Sequence, residues 1–369
     1  MKADRAKNDM AFQNNNHLRI VAWEITRSCN LNCVHCRASS RFGPYPQELN
    51  TIKAKEILDQ IREVGQPIII LTGGEPLMRK DIFSLADYGT KRGLRMVMGT
   101  NGTLITPTIT KKIQDSGIKR VSISLDGSSK ESHDAFRQVE GAFDKAVMGI
   151  EYLKERGIEF QINTTITKHN LSELEGIFEL VVRLGAAAHH IFLLVPTGRA
   201  RDMVSQELNA KQYEDTLHWF YEKHDKTTVQ LKATCAPQYY RILRQEAYKK
   251  GETVNRDTYG LDAVTRGCLA GTSYCFISHE GIVQPCGYLE VNSGDLRKST
   301  FSDIWMNSPV FHDLRDFSKY KGKCGRCEYI SVCGGCRARA YALTGDYLSE
   351  EPLCAYEPEG AKRQRLGNG

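Results

Sequence analysis

Three cysteines sit in one short run, Cys29-Asn30-Leu31-Asn32-Cys33-Val34-His35-Cys36. This C-x3-C-x2-C spacing offers three thiolates from a single loop, one fewer than the four protein ligands that a closed zinc or iron–sulfur site takes. A four-iron cluster held this way keeps one iron open, where a small molecule with adjacent amino and carboxylate groups can chelate and accept an electron. Half of a zinc site, with its fourth ligand elsewhere, is the plainer alternative. A second cysteine-rich stretch holds Cys268, Cys275, Gly281-x4-Cys286, Cys324-x2-Cys327-x5-Cys333-x2-Cys336 and Cys354. Its eight thiolates suffice for two four-cysteine clusters, and a zinc ribbon shares the C-x2-C spacing. Cys235 stands apart, as an extra ligand, a substrate-side thiol or an inert buried cysteine.

The elements that must position these residues form a βα rhythm. Strand candidates are Leu18–Ile25, Pro67–Leu71, Leu94–Met98, Lys119–Ser124, Glu159–Thr165, His190–Val195 and Thr228–Thr234. Amphipathic stretches alternate with them. In Thr51–Val64, Ile52, Ile57, Leu58 and Ile61 are expected on one face, with Thr51 as N-cap. Gly141–Arg156 and Leu171–Leu184 read the same way. Such alternation implies a parallel sheet with helices outside, a full or partial barrel, whose chemistry collects at the C-terminal strand ends. The motifs obey that rule: Cys29–Cys36 follows the first strand, Gly73-Gly74-Glu75-Pro76 the second, Thr100-Asn101-Gly102 the third and Asp126-Gly127 the fourth. Two adjacent glycines let the backbone approach a ligand closely, or simply end a strand in a turn. Ser124 ends a strand, and the Arg137 guanidinium on the next segment suits a carboxylate. After Cys235 the rhythm gives way to glycines and short apolar runs.

Composition limits the alternatives. The 369 residues are 41% hydrophobic and 25% charged, ordinary for a globular chain, and allow one large domain with a smaller appendage. Fifty basic and 44 acidic residues leave +6, too modest and dispersed to argue for nucleic acid. Met1–His17 is polar with no apolar signal region, and no apolar run is long enough for a membrane span. Twelve cysteines in the cytoplasmic chain this implies favour metal ligation over disulfides.

The first cysteine motif and Gly73-Gly74-Glu75-Pro76 resemble those of the radical S-adenosylmethionine (SAM) superfamily. The later cysteines resemble the SPASM extension, an auxiliary-cluster domain, with one departure: two residues rather than three precede Cys336. The resemblance implies a partial (β/α)6 TIM-type barrel with a C-terminal cysteine-rich SPASM domain. The expected divisions are a disordered segment at 1–17, the barrel at 18–241, a polar linker at 242–266, the auxiliary domain at 267–356 and a flexible tail at 357–369. It implies a [4Fe-4S] cluster with an open iron on Cys29, Cys33 and Cys36, binding SAM. Gly73, Gly74 and Glu75 would meet the SAM amino group, Ser124 and Arg137 its carboxylate, and Asn163 its ribose. His35 would lie beside the adenine, near Leu193 at the start of Leu193–Arg199. By the family's interleaved connectivity, Cys268, Cys275, Cys286 and Cys336 would hold one auxiliary [4Fe-4S] cluster, and Cys324, Cys327, Cys333 and Cys354 the other.

Within that superfamily, Val21-Ala22-Trp23-Glu24, His35-Cys36-Arg37-Ala38, Ala233-Thr234-Cys235-Ala236-Pro237 and the run from Cys333 to Tyr341 are similar to the SAM-dependent haem synthases. That similarity, from about Leu18 to Pro358, implies an iron-porphyrin substrate, iron-coproporphyrin III, two of whose propionates lose carbon dioxide to leave the vinyls of haem b. A reducing donor such as flavodoxin or ferredoxin would supply electrons. Arg199, Lys232 and Arg241 are candidate partners for propionates. One of His189 and His190 must face inward, as a haem-iron ligand or a structural histidine. Two alternatives remain: a peptide-modifying maturase of the quinone-cofactor type, and the sister enzyme that removes acetate side chains. Against the second, the sister family has Asn and Tyr where Glu24 and Arg37 stand.

Overall fold

A computed structural model describes residues 17–359. Residues 1–16 and 360–369, on which the expected terminal segments largely fall, lie outside the described residues. Seven strands pair in parallel, each with the next in chain order: β1 (Ile20–Thr26), β2 (Ile68–Gly73), β3 (Arg95–Thr100), β4 (Val121–Ser124), β5 (Phe160–Ile166), β6 (Ala188–Leu193) and β7 (Gln230–Thr234). Between them run α1 (Thr51–Val64), α2 (Ile82–Lys91), α3 (Pro107–Asp115), α4 (Lys130–Arg137), α5 (Ala142–Glu155), α6 (Leu174–Leu184) and α7 (Ala210–Glu222). Six βα units and a seventh strand make the open barrel.

Alternation along each strand sets its two faces. Val21, Trp23 and Ile25 of β1 pack with Ile69 and Leu71 of β2 and with Ile57, Leu58 and Ile61 of α1 in one buried core. The other face carries Glu24, Ser124, Asn163, His190 and Lys232 along β1 and β4 to β7. The α1 expectation needs correction in two places. Its cap is Asn50, whose side chain accepts from Lys53 N, while the Thr51 hydroxyl donates to Asp81 at 2.6 Å. Its buried stripe is Ala54, Ile57, Leu58 and Ile61, leaving Ile52 72% exposed, because two residues of helix turn Ile52 about 200° from Ala54.

The stretch expected as a polar linker is largely helical: α8 (Tyr239–Lys249) and α9 (Arg256–Val264, broken at Gly260). Tyr239, Ile242, Leu243 and Ala247 recur at three- and four-residue spacing and bury against Tyr213, Leu217 and Phe220 of α7, which makes α8 part of the barrel wall. Beyond it come β8 (Tyr274–Ile277), β9 (Ile282–Gln284), β10 (Gly294–Asp295), α10 (Phe301–Asn307), α11 (Pro309–Arg315), α12 (Gly322–Gly325) and α13 (Arg337–Thr344). β8 pairs in parallel with the free edge of β1, placing Cys275 opposite Val21, and β9 and β10 follow antiparallel. One ten-stranded sheet thus runs through both cysteine-bearing regions. Among the described residues no helix is long and apolar enough to cross a membrane.

Candidate active site

The chain leaves β1 at Thr26 and enters the cysteine loop at the C-terminal lip of the sheet. Cys29, Leu31 and Cys33 are buried together, with Cys36 packed against them. Donors converge on all three sulfurs: Leu31 N on Cys29 Sγ (3.4 Å), Ser40 N on Cys36 Sγ (3.4 Å) and Arg137 Nη1 on Cys33 Sγ (3.5 Å). Burial pushes the Cys29 thiol up to about 12 and raises that of Cys33. Bare thiols here would hold their protons, whereas ligation of a metal displaces them. Preformed N–H donors aimed at sulfur suit thiolates that carry negative charge on a cluster, so the residues fit the implied group.

Gly73-Gly74-Glu75-Pro76 braces this loop. Gly74 N donates to Thr26 O (2.8 Å) and Glu75 N to Ser28 O (2.7 Å). A Cβ on Gly73 would meet Thr26 O at 2.0 Å, and one on Gly74 would meet Ser28 O at 2.3 Å. The glycines are therefore needed for close backbone approach between the two lips. Glu75, expected at the SAM amino group, is fully buried and accepts from Thr100 Oγ1 (2.7 Å), Asn101 N (2.8 Å) and Leu77 N (3.1 Å). It ties the β2 lip to the β3 lip; burial raises its pKa.

Ser124 and Asn163 face each other across β4 and β5, on the polar face of the sheet. Arg137 spans from the Cys33 sulfur to an ion pair with Asp126, whose carboxylate is fully buried. Asp126 also accepts from Thr165 N at 2.7 Å. In sequence, the only sign of this role is an acid two residues past the end of β4. His35 stacks on Phe136 with ring centroids 4.1 Å apart, and Phe136 stacks in turn on His169. Burial and the Arg137 charge hold His35 neutral, well below the usual histidine range. Leu193 departs from expectation: alternation turns its side chain, with Ile191, into the helix-side core, and its carbonyl accepts from Arg339 Nη2 at 3.1 Å.

The proposed propionate partners separate clearly. Arg199 donates to Cys33 O and Ser40 O, both at 2.8 Å, and so holds the cysteine loop. Arg241 bonds Glu214 and stands over the Tyr356 ring, near Cys333 and Cys354. Lys232 faces the barrel interior beside His190, its neighbour across β6 and β7. His189 points the other way, to Thr164, Phe178 and Phe220; burial pushes both histidines down to about 3.

Each of the twelve cysteines is a free thiol. Cys324, Cys327, Cys333 and Cys354 line one cavity together with Arg241 and Tyr356, and Arg337 Nη2 donates to Cys324 Sγ at 3.4 Å. Cys286 and Cys336 pack in a second cluster, with Cys268 within electrostatic reach of both. Cys275 is not with them; it is buried in the barrel core among Val21, Ile277 and Phe311. Among the described residues no three Cys, His, Asp or Glu side chains converge tightly enough for a single metal ion. A four-iron cluster makes a weaker demand, since each thiolate takes its own iron and the sulfurs stay spread around the cube.

The Radical SAM superfamily model matches residues 23–181, and that of the SPASM iron–sulfur cluster-binding domain matches 268–337. The AdoMet-dependent heme synthase of Nitratidesulfovibrio vulgaris is 55% identical over 92% of this chain and 93% of its own length. That of Methanosarcina barkeri is 53% identical over 92% and 97%. The Fe-coproporphyrin III synthase of Methanosarcina barkeri is 31% identical over 91% and 87%. Among solved structures, Streptococcus suis SuiB bound to S-adenosylmethionine superposes with a TM-score of 0.71 at 16% identity, covering 95% of this chain and 81% of that one. At such identity the likeness speaks for the fold alone. With matching models at both cysteine regions and relatives alike over almost the whole length, the chain belongs to the radical SAM/SPASM enzymes and is closely related to the AdoMet-dependent heme synthases.

Proposed function

We propose that this enzyme removes carbon dioxide from two propionate side chains of iron-coproporphyrin III, leaving the vinyl groups of haem b. The observation that carries this reading is the 55% identity with an AdoMet-dependent heme synthase across both cysteine regions. When bound, SAM and a reduced first cluster would supply a 5′-deoxyadenosyl radical, the chemistry needed to activate a propionate β-carbon, with one surplus electron per decarboxylation to a vinyl.

The chain's own residues do the positioning. Cys29, Cys33 and Cys36 would hold the cluster through three thiolates. The Gly73-Gly74 backbone, Ser124 and Arg137 border the SAM site; Arg137 carries the cationic charge there, offset by Asp126. Asn163, Gln161, His190 and Lys232 line the polar interior. The Gln161 amide lies 3.1 Å from His190 Nδ1, and Lys232 offers a cation to a propionate. The two C-terminal thiol groups would hold auxiliary clusters that take up the surplus electrons. A reduced flavodoxin or ferredoxin suits the first electron, and a reducing cytoplasm suits twelve unpaired thiols.

The test is anaerobic incubation of the reduced, iron-reconstituted protein with SAM and iron-coproporphyrin III. Deoxyadenosine and haem b should form together, one deoxyadenosine per vinyl. SAM cleavage with the porphyrin unchanged would remove the haem assignment and spare the superfamily.

A further inference from the structure

The carboxyl end of β7 bears a thiol outside the two four-cysteine sets that the family's connectivity implies. Cys235 follows Thr234 directly and holds a left-handed backbone, φ 56°, that residues other than glycine rarely adopt. Two buried groups clamp its carbonyl: Tyr213 Oη donates at 2.8 Å and Arg339 Nη1 at 3.1 Å. A strained conformation held this firmly points to a side chain that must be aimed. It is aimed at cysteines. Cys235 packs with Cys286 and Cys336 in one cluster, and its side chain is a hydrogen-bond partner of Cys336. Cys268 lies within electrostatic reach of Cys336 and Cys286.

Cys275 cannot join that group, for a reason of strand geometry. On β8 it stands opposite Val21, so its side chain shares the helix-side core with Ile277, Trp305 and Phe311. Its neighbour Phe276 takes the opposite face, where it meets Gly287, next to Cys286, and the Arg37 guanidinium at 4.5 Å. A sheet therefore separates the Cys275 sulfur from Cys286.

We propose that Cys235, and not Cys275, completes the four-thiolate set of Cys268, Cys286 and Cys336 for one auxiliary iron–sulfur cluster. Such a cluster is anchored to the barrel lip as well as to the C-terminal region. The Tyr288 phenol lies within electrostatic reach of Cys235, Cys286, Arg37 and Cys36, so the site adjoins the first cysteine loop. The proposal rests on the reading that auxiliary clusters are bound.

The test compares full-length wild type, Cys235→Ala and Cys275→Ala after anaerobic reconstitution, by iron and sulfide content and by electron paramagnetic resonance of the reduced proteins. Cys235→Ala should lose about a third of the iron and sulfide, one cube of three. If three thiolates retain the cube, its resonance should instead be displaced from that of wild type. Cys275→Ala should keep wild-type content and spectrum. A Cys235→Ala protein with full loading and an unaltered spectrum overturns the ligand assignment alone. So does a Cys275→Ala protein that loses a cluster while keeping wild-type circular dichroism. Wild type with only about four irons per chain removes the auxiliary clusters themselves, and the proposal with them.

Discussion

Glu24 and Arg37 are ion-pair partners at 2.7 Å. Burial alone would raise the Glu24 pKa, but Arg37, His279 and Arg27 together hold its carboxyl far below the usual range. Two residues thirteen positions apart are thus one structural feature, a charge pair joining β1 to the cysteine loop, and only the fold reveals the coupling. Other site residues were legible one at a time. Three thiols at C-x3-C-x2-C spacing and a double glycine after an apolar run announce themselves without coordinates. What the glycines do was less legible, because it depends on the backbone of the neighbouring lip. Gly74→Ala should force that lip outward, since the new Cβ would lie 2.3 Å from Ser28 O and 2.5 Å from Arg27 O. SAM cleavage should fall about 100-fold, the scale that a displacement near 1 Å costs a positioned reaction. The cluster's iron content should be largely kept. Cys33→Ala should lose both iron and cleavage, and full turnover in that variant would contradict the assignment of the loop. Wild-type cleavage by Gly74→Ala would show that the close approach is irrelevant.

At the scale of elements, the seven strands could be read to within about two residues at their ends, because short runs with an apolar helix-side face stand out between amphipathic helices and turn residues. α8 occupies the start of the stretch expected as a linker. Its charged surface (Arg244, Glu246 and Lys249) masks a four-residue apolar stripe that only α7 explains. The pair His189-His190 shows what alternation settles: one ring enters the core, the other the barrel. His189 carries a testable cost. Its folded ring takes a proton only near pH 3, while an unfolded histidine takes one near 6.5. Between those values the unfolded state binds more protons, so the stabilising contribution is complete above about pH 6.5 and drains away as pH falls toward 3. His189→Phe keeps an aromatic ring among Phe178 and Phe220 and removes the titration. Melting temperatures of the two proteins, measured from pH 7.5 to about 4.5, should converge or cross in favour of the variant as the medium acidifies. Parallel curves would mean that the ring does not titrate as burial dictates.

For the whole molecule, the question is how the two cysteine regions stay in register, and sequence could not address it because every tie is long-range. β8 on the edge of β1 is one tie. A second is Arg339, which leaves α13 fully buried and reaches the barrel lip. Its guanidinium donates to Leu194 O at 2.8 Å, to Leu193 O and Cys235 O at 3.1 Å, and to Glu207 at 3.1 Å, with Glu351 at 3.4 Å. One side chain therefore fixes the ends of β6 and β7 against the helix that follows Cys336. Glu207 and Glu351 are paired through it, and removing the cation leaves two buried carboxylates without their counter-charge and the Leu193 and Leu194 carbonyls without the guanidinium donor. Arg339→Met retains the aliphatic bulk and should destabilise the protein by about 3–5 kcal/mol, the range for stranding one half of a buried ion pair. Arg339→Lys keeps a charge but cannot fork to several acceptors at once, so it should recover only part of that loss. Chemical denaturation of the reconstituted protein measures both. The sharper readout is the auxiliary cluster itself. Cys235 and Cys336 lie on opposite sides of the bridge, so Arg339→Lys should disturb the resonance of the cluster they share and leave that of the first cluster unchanged. A variant with full stability and an unaltered auxiliary signal would show that β8 alone suffices to align the two regions.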